Sequence, residues 1–499
     1  MAYRGVRRGS LLAAAAVGAI VASPAAADTL REALVSAYNT NPNLEAARAQ
    51  QRVVDEEVPL RRADGLPSVT GTGALTEFIR QNNTSFFTPD RALTAGVDLG
   101  VPLFNGGAIR NAIRAAEERV AAGQADLRST ESAIFSRAVA AYMDVLRAEA
   151  LTELASNQVD VLSVNLQATS DRFEIGDLTR TDVAQSQSRL ALAESDLRST
   201  QANLIAAREA YIQVIGQAPD DLQPPPPLPG LPSNVGQAVS IALENNPDLI
   251  AARERAQAAG YDSDVAGSGR LPTVSVFAGY DYQNFLGSVP DAPSNPNDPN
   301  SPIIPSDQTA TGIQAGVSLR VPFFQGGRPA AQQRQAFARE NAALEQIIAT
   351  ERDVVGQTRS AYANWQAANA VIESSMIAVD AAELSLEGVR AENSIGNRQI
   401  LDVLNAEQEL LNARAQLVTA RRNAYVAAFN LLALMGRAEA RDLNLDTGGP
   451  LYDPQVNFER VRGKFWDWDR DPEPESRSTR TVDIPPADAT IGPVLEPAD

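Results

Sequence analysis

The segments VPLFNGG (101–107) and VPFFQGG (321–327) are nearly the same seven residues, set 220 positions apart. Each closes an alternating apolar run: Leu93, Ala95, Val97, Leu99 and Val101 in one case, Ile313, Ala315, Val317, Leu319 and Val321 in the other. Each then opens a long stretch rich in Ala, Gln, Arg and Glu. A period of two followed by a helical composition reads as a strand turning into a helix. In that turn Pro102 and Pro322 are expected to end the strand ladder, while Gly106-Gly107 and Gly326-Gly327 allow the positive φ that redirects the chain. The same junction occurring twice predicts an internal duplication.

Other segments recur in register. NPNLEAAR (41–48) aligns with NPDLIAAR (246–253), and LPSV (66–69) with LPTV (271–274), at an offset of 205. From the junction onward the offset is 220, pairing Gly176 with Gly396 and Asp182-Val183 with Asp402-Val403. The extra residues of the second half fall in LGSVPDAPSNPNDPNSPIIPSDQ (286–308), whose turn formers read as an exposed loop. The first repeat spans 28–222 and the second 235–446, joined by an extended Pro-rich linker at 223–234. Each repeat reads short helix, helix, strand, loop, strand, very long helix, turn, helix.

The strands are predicted at 67–79, 92–104, 272–284 and 309–323. They exceed the roughly 5 to 6 residues usual in soluble sheets and satisfy the roughly 9 to 11 that a tilted membrane strand needs. Tyr280, Tyr282 and Phe285, with Phe104, Phe323 and Phe324, stand near strand ends where interfacial aromatic girdles form. Four strands cannot close a barrel, and open edges are not tolerated in hydrocarbon, so this reading demands an oligomer. About eight strands, from two protomers, fill their own interior, whereas twelve from three leave a lumen.

The long helices are predicted at 108–172 and 328–392, each near 97 Å, and the returning ones at 181–217 and 401–437, each near 55 Å. Helices at 43–64 and 248–269 supply almost the missing length, so two shorter helices are expected to stack end to end beside each long one. Asn41-Pro42 and Asn246-Pro247 place a capping residue before a first-turn proline. The returning helices carry an unbroken seven-residue period with one large and one small position: Val183, Leu190, Leu197, Leu204 and Tyr211 with Ser186, Ala193, Thr200, Ala207 and Val214. Val403, Leu410 and Leu417 with Ala406, Ala413 and Ala420 repeat it, the pattern of a close coiled-coil seam.

Composition narrows the function. The chain has 499 residues, 43 basic and 62 acidic, for a net charge of −19, and its single lysine is Lys464. Such a surplus argues against a nucleic-acid partner, which needs clustered cations. There is no Cys and no His, which removes disulfides, thiolate and imidazole metal sites and His-assisted nucleophiles. With no phosphate-binding glycine loop either, no cofactor is expected. Residues 1–27 read as a secretory signal: Arg4, Arg7 and Arg8, an apolar run from Leu11 to Val21, then Ala25-Ala26-Ala27. Residues 447–499 form an acidic tail containing FWDWDRDPEPES; Leu451 to Trp468 are expected to pack around mid-height and the chain beyond Asp469 to be disordered. A soluble periplasmic coiled-coil scaffold is the competing reading. A carboxylate enzyme such as a glycosidase fits less well, because rod-like periodicities leave little room for a cleft.

The signal segment, the duplicated strand-pair and long-helix unit, the VP-x-F-x-GG junction and SIGNRQILDVLNAEQELLNAR (394–414) together resemble the TolC-type outer-membrane efflux and secretion channels, over about residues 28–445. The resemblance implies an α+β membrane protein in which a homotrimer builds one twelve-stranded β-barrel in outer-membrane lipid. That barrel is continuous with a long α-helical periplasmic barrel. It implies a passive exit duct of a tripartite efflux pump or type I secretion system, not an enzyme. The periplasmic tip would open when a periplasmic adaptor (membrane fusion) protein and an inner-membrane ABC or RND transporter dock. The missing Cys matches the unlipidated branch. Carried over residue by residue, the gate latch becomes Arg398 with Thr181 and Asp182, and the lumen cation constriction becomes Asp402, with Asn405 where the pattern has a second Asp. Asn393 replaces a Tyr that often joins the latch.

Overall fold

A computed structural model describes residues 29–80, 89–295, 297–298, 300–446 and 450–486. The signal segment at 1–27 lies outside the described residues. The first repeat runs α1 (Leu30–Thr40), α2 (Pro42–Asp55), α3 (Glu57–Ala63), β1 (Ser68–Glu77), β2 (Arg91–Phe104), α4 (Ala108–Glu174) and α5 (Arg180–Ile215). The second runs α6 (Val235–Asn245), α7 (Pro247–Ser268), β3 (Thr273–Asn284), a minimal hairpin β4 (Ala292–Pro293) and β5 (Ile303–Ile304), β6 (Thr309–Arg320), α8 (Arg328–Ser394) and α9 (Ile400–Leu434). Helix α10 (Pro454–Val461) follows. At 67 residues each, α4 and α8 extend about 100 Å. Among the described residues no helix is long and apolar enough to cross a membrane.

The strands form one antiparallel sheet in the order β1-β2-β3-β6, so β1 and β6 are its two edges. Register sorts its faces. Val69 pairs with Leu99 and Leu75 with Leu93; Val97 pairs with Tyr280, and Tyr280 with Ile313. The alternate rows pair Thr70 with Asp98, Asp98 with Gly279, and Gly279 with Gln314. One face is therefore apolar with tyrosines, and the other is mainly Thr, Ser, Asp, Gln and Gly, with Phe277 opposite Gly100 and Gly316 as its large apolar residue. Val69, Leu75, Ile313 and Val317 stand exposed on that apolar face.

The junction glycines behave as the sequence required: φ is 65° and 86° at Gly106 and Gly107, and 61° and 81° at Gly326 and Gly327. Gly107 and Gly327 are the N-caps of α4 and α8. Pro102 departs from expectation. It does not end the ladder but lies inside β2, paired with Ser275 beside a register shift that runs to Phe104. The β1 partner stops at Ser68 opposite Gly100, so beyond that point β2 is flanked on one side only and a missing N–H is tolerated. In the second repeat β6 ends at Arg320, before Pro322. The predicted helix 43–64 is also broken, into α2 and α3 at Glu56, because Pro59 has no N–H for the carbonyl of Asp55. Its counterpart α7 carries no proline beyond its first turn and runs unbroken.

The shorter helices are joined end to end by two asparagines. Asn41 Oδ1 accepts from the Asn43 N–H (3.0 Å) as the N-cap of α2, while its Nδ2 donates to the Val214 carbonyl at the end of α5 (2.8 Å). Asn246 Oδ1 accepts from the N–H groups of Asp248 (3.0 Å) and Leu249 (3.2 Å), and its Nδ2 donates to Leu434 at the end of α9 (2.9 Å). One amide thus satisfies orphan groups on both helices. Both joints lie in a mid-height girdle, where Phe135, Tyr142, Tyr211, Leu249 and Phe429 are buried in the main core and α1 and α6 cover it. The linker is held there too: the hydroxyls of Tyr142, Tyr425 and Tyr362 donate to the carbonyls of Gln223, Pro226 and Ser233. Leu451 and Tyr452 pack at mid-height, but α10 carries the chain from there toward the sheet, so Phe465–Trp468 do not. Past Asp469, where disorder was expected, Asp471 pairs with Arg460 (2.7 Å) and Thr479 lies against Gly216, and residues 487–499 lie outside the described residues.

Candidate gate at the helical tips

At the ends farthest from the sheet, each repeat makes an identical turn. Gly176 and Gly396, both at φ 81°, follow α4 and α8 in the left-handed conformation. The Gly176 and Asp177 N–H groups donate to Phe173 and Arg172 (2.9 Å each), and those of Gly396 and Asn397 to Asn393 and Glu392 (3.0 Å each). These are the paired bonds of a Schellman motif. The next helix is then started by a reciprocal capping box. Asp182 Oδ2 accepts from the Thr179 N–H (2.9 Å) and hydroxyl (2.7 Å), and Asp402 Oδ2 accepts from the Gln399 N–H (3.3 Å). Asp182 and Asp402 are thus the same residue of the duplicated unit. The Thr179 amide and hydroxyl hold the Asp182 carboxyl below its ordinary range, so it stays ionised.

Within one chain Arg398 is not bonded to Thr181 and Asp182. Its Nε donates to Glu392 of its own hairpin (2.7 Å), which raises its pKa further, and Asn393 Nδ2 donates to the Arg398 carbonyl (2.8 Å). Asn405 accepts from Arg189 Nη2 of α5 (2.8 Å) and so bridges the two hairpins. A larger bridge lies further along the helices. Glu407, only 3% exposed, receives Asn165 Nδ2 of α4 on both carboxylate oxygens (3.0 Å each) and Arg390 Nη2 of α8 (3.0 Å). Beside it Leu404 is buried against Leu162 and Ala193 of the first hairpin. Near the tips, what fastens hairpin α4/α5 to hairpin α8/α9 is therefore the Asn165–Glu407 bond, the burial of Leu404 and the Arg189–Asn405 pair, while Arg390 shares Glu407 from within its own hairpin. Sequence reasoning singled out Asn405, as part of a lumen constriction, and missed the others. The available signal was a carboxylate beside Ala406, a small position of the coiled-coil seam, where an ion must find partners.

Residues 33–217 and 238–437 match the family described as outer membrane efflux protein, one stretch for each repeat. The chain belongs to that family. This efflux protein is 31% identical over 459 residues to the outer membrane efflux protein BepC of Brucella suis biovar 1, covering 91% of this chain and 96% of the relative. It is 26% identical to the outer membrane protein TolC of Vibrio cholerae serotype O1, covering 87% and 96%. The crystal structure of the outer membrane protein VceC of Vibrio cholerae superposes with a TM-score of 0.67 at 25% identity, over 82% of this chain and 96% of that one. The efflux protein thus has the helical, part-sheet architecture of these channels, and its place is the outer membrane.

Proposed function

We propose that this efflux protein is a passive, non-enzymatic exit duct of a tripartite efflux pump or type I secretion system. Three copies close their sheets edge to edge into a twelve-stranded barrel, and their helices continue it as a periplasmic tunnel. A periplasmic adaptor and an inner-membrane ABC or RND transporter dock on the hairpin tips and part them. The observation that carries this reading is the sheet itself: apolar on one face, polar on the other, unpaired at β1 and β6, and continuous with helices of about 100 Å. The exposure of Phe337, Leu344, Ile348, Met376 and Ile377 along α8 supports it, since α8 buries eight of its 67 residues where α4 buries 19, and a neighbouring copy would cover α8.

In the trimer Arg398 of one protomer meets Thr181 and Asp182 of the next, exchanging Glu392 for an acid on another chain. Asp402 recurs three times around the narrow end, a ring of like charge that favours cations. The test is mass measurement in detergent together with single-channel recording. The reading expects a trimer with ion-conducting openings, and a stable detergent-free monomer would end it.

A further inference from the structure

Two of the three tryptophans of this chain, Trp466 and Trp468, lie within three residues of each other, and the fold leaves them in the open. Phe465, Trp466 and Trp468 are 76%, 67% and 74% exposed. They form the apex of a loop with a well-fastened base. Arg460 grips Asp471 through both guanidinium nitrogens (2.7 and 2.8 Å), and Lys464 Nζ lies 3.1 Å from Asp469 and 3.3 Å from Asp471. An ordered loop that presents three large aromatic rings to solvent is built for contact with something else.

Its height in the molecule says with what. Helix α10 climbs toward the sheet: Gln455 meets Gln124 of α4, Phe458 packs on Val58, Ala116 and Val120, and the Arg462 carbonyl accepts from Arg62 Nη1 of α3 (2.5 Å). Arg62 is one turn before Gly65, and Gly65 abuts Ile109, the second residue of α4. The loop therefore leaves the body within roughly two helical turns, about 10 Å, of the point where helix becomes membrane strand. Leu60, Leu66 and Phe104 are exposed at the same level, so the aromatic apex continues the apolar band of the sheet. Indole and phenyl rings favour that boundary, where one side is apolar and the other wet. Asp469 and Asp471 are neutralised by Lys464 and Arg460, and the remaining ions of the loop, Asp467 and Arg470, are opposite in sign, so the loop carries no net charge to hold it away from phospholipid headgroups.

We infer that the Phe465–Trp468 loop is a foot resting in the periplasmic leaflet of the outer membrane, with phospholipid as its partner, so that each copy grips the bilayer outside the barrel as well as through it. The test uses the full chain with Trp365→Phe, which leaves Trp466 and Trp468 as the only indoles. The protein is reconstituted into phosphatidylethanolamine–phosphatidylglycerol vesicles carrying acyl chains brominated close to the headgroup. Bromolipid should remove most of the emission, while iodide in the water should remove little. Free quenching by iodide without bromolipid quenching would place the loop in water and overturn the inference. Protection from both quenchers would overturn it equally, by showing that a neighbouring protomer covers the rings. Should Trp365→Phe fold poorly, the unsubstituted chain gives the same contrast as a partial loss, because Trp365 packs on the mid-height core far from lipid.

Discussion

Replacing Asn165 by alanine should open the duct. Glu407 is the buried partner, and the amide of Asn165 is what ties its carboxylate on α9 to α4, at 3.0 Å to each oxygen. Arg390 belongs to α8, the partner of α9 in the same hairpin, so its bond adds nothing between hairpins. A hydrogen bond to a charged group contributes about 1.5–3 kcal/mol, so about 2 kcal/mol is lost per protomer. If the three tips part together, the closed state loses about 6 kcal/mol. That compares with the roughly 5.5 kcal/mol that carries a two-state equilibrium from 1:99 to 99:1. The variant keeps Arg390 on Glu407, so no buried charge is orphaned and the fold survives. In planar bilayers the expected outcome is a shift from rare, small openings to a high-conductance state that dominates the record. A variant that remains trimeric and conducts like the wild type would refute the reasoning, since the α4–α9 contact would then not part on opening.

Asn246→Asp should destabilise the folded chain by about 2 kcal/mol at neutral pH, because it keeps the cap on α7 but turns a carboxylate oxygen toward the Leu434 carbonyl. Acidification should restore stability in thermal melts, since a protonated carboxyl can donate again. Burial pushes Glu131 from 4.5 up to about 7, with the Ala440 N–H opposing and Glu439 assisting. An acid raised on folding holds its proton longer in the native state, so wild-type stability should fall by about 3 kcal/mol as pH rises from about 4.5 to 7. Glu131→Gln should flatten that slope in denaturant titrations. Asn405→Asp should strengthen block by multivalent cations only weakly, because Arg189 already faces that position and offsets the new charge. The full increase should need Arg189→Ala as well, measured as the blocking concentration in single channels.

The elements, their order and their lengths were legible in the sequence because each rests on a local signal. Period-two runs ending in VP-x-F-x-GG mark strand-to-helix junctions, and their recurrence at an offset of 220 marks the duplication. Glycines at 106, 107, 326, 327, 176 and 396 each occupy a positive φ that side chains resist. The end-to-end stacking was legible too, as a matching of lengths, although the asparagine amide that makes each joint was seen only as a helix cap. Two prolines were misjudged because their tolerance depends on neighbours. Pro102 survives inside β2 where β1 has already stopped, and Pro59 breaks a helix that its repeat partner keeps whole.

Partner choice between the two hairpins was decided by tertiary structure alone. Asn405 meets Arg189, a pairing that neither spacing nor family likeness selects, whereas Thr179-x-x-Asp182 is a capping box its spacing announces and Arg398 finds Glu392 within its own hairpin. A long charged side chain reaches any of several acids within about a turn, and small differences in backbone placement decide among bonds of similar strength. Asn165 and Glu407 lie 242 positions apart, so only the packing of one hairpin on the other brings them together.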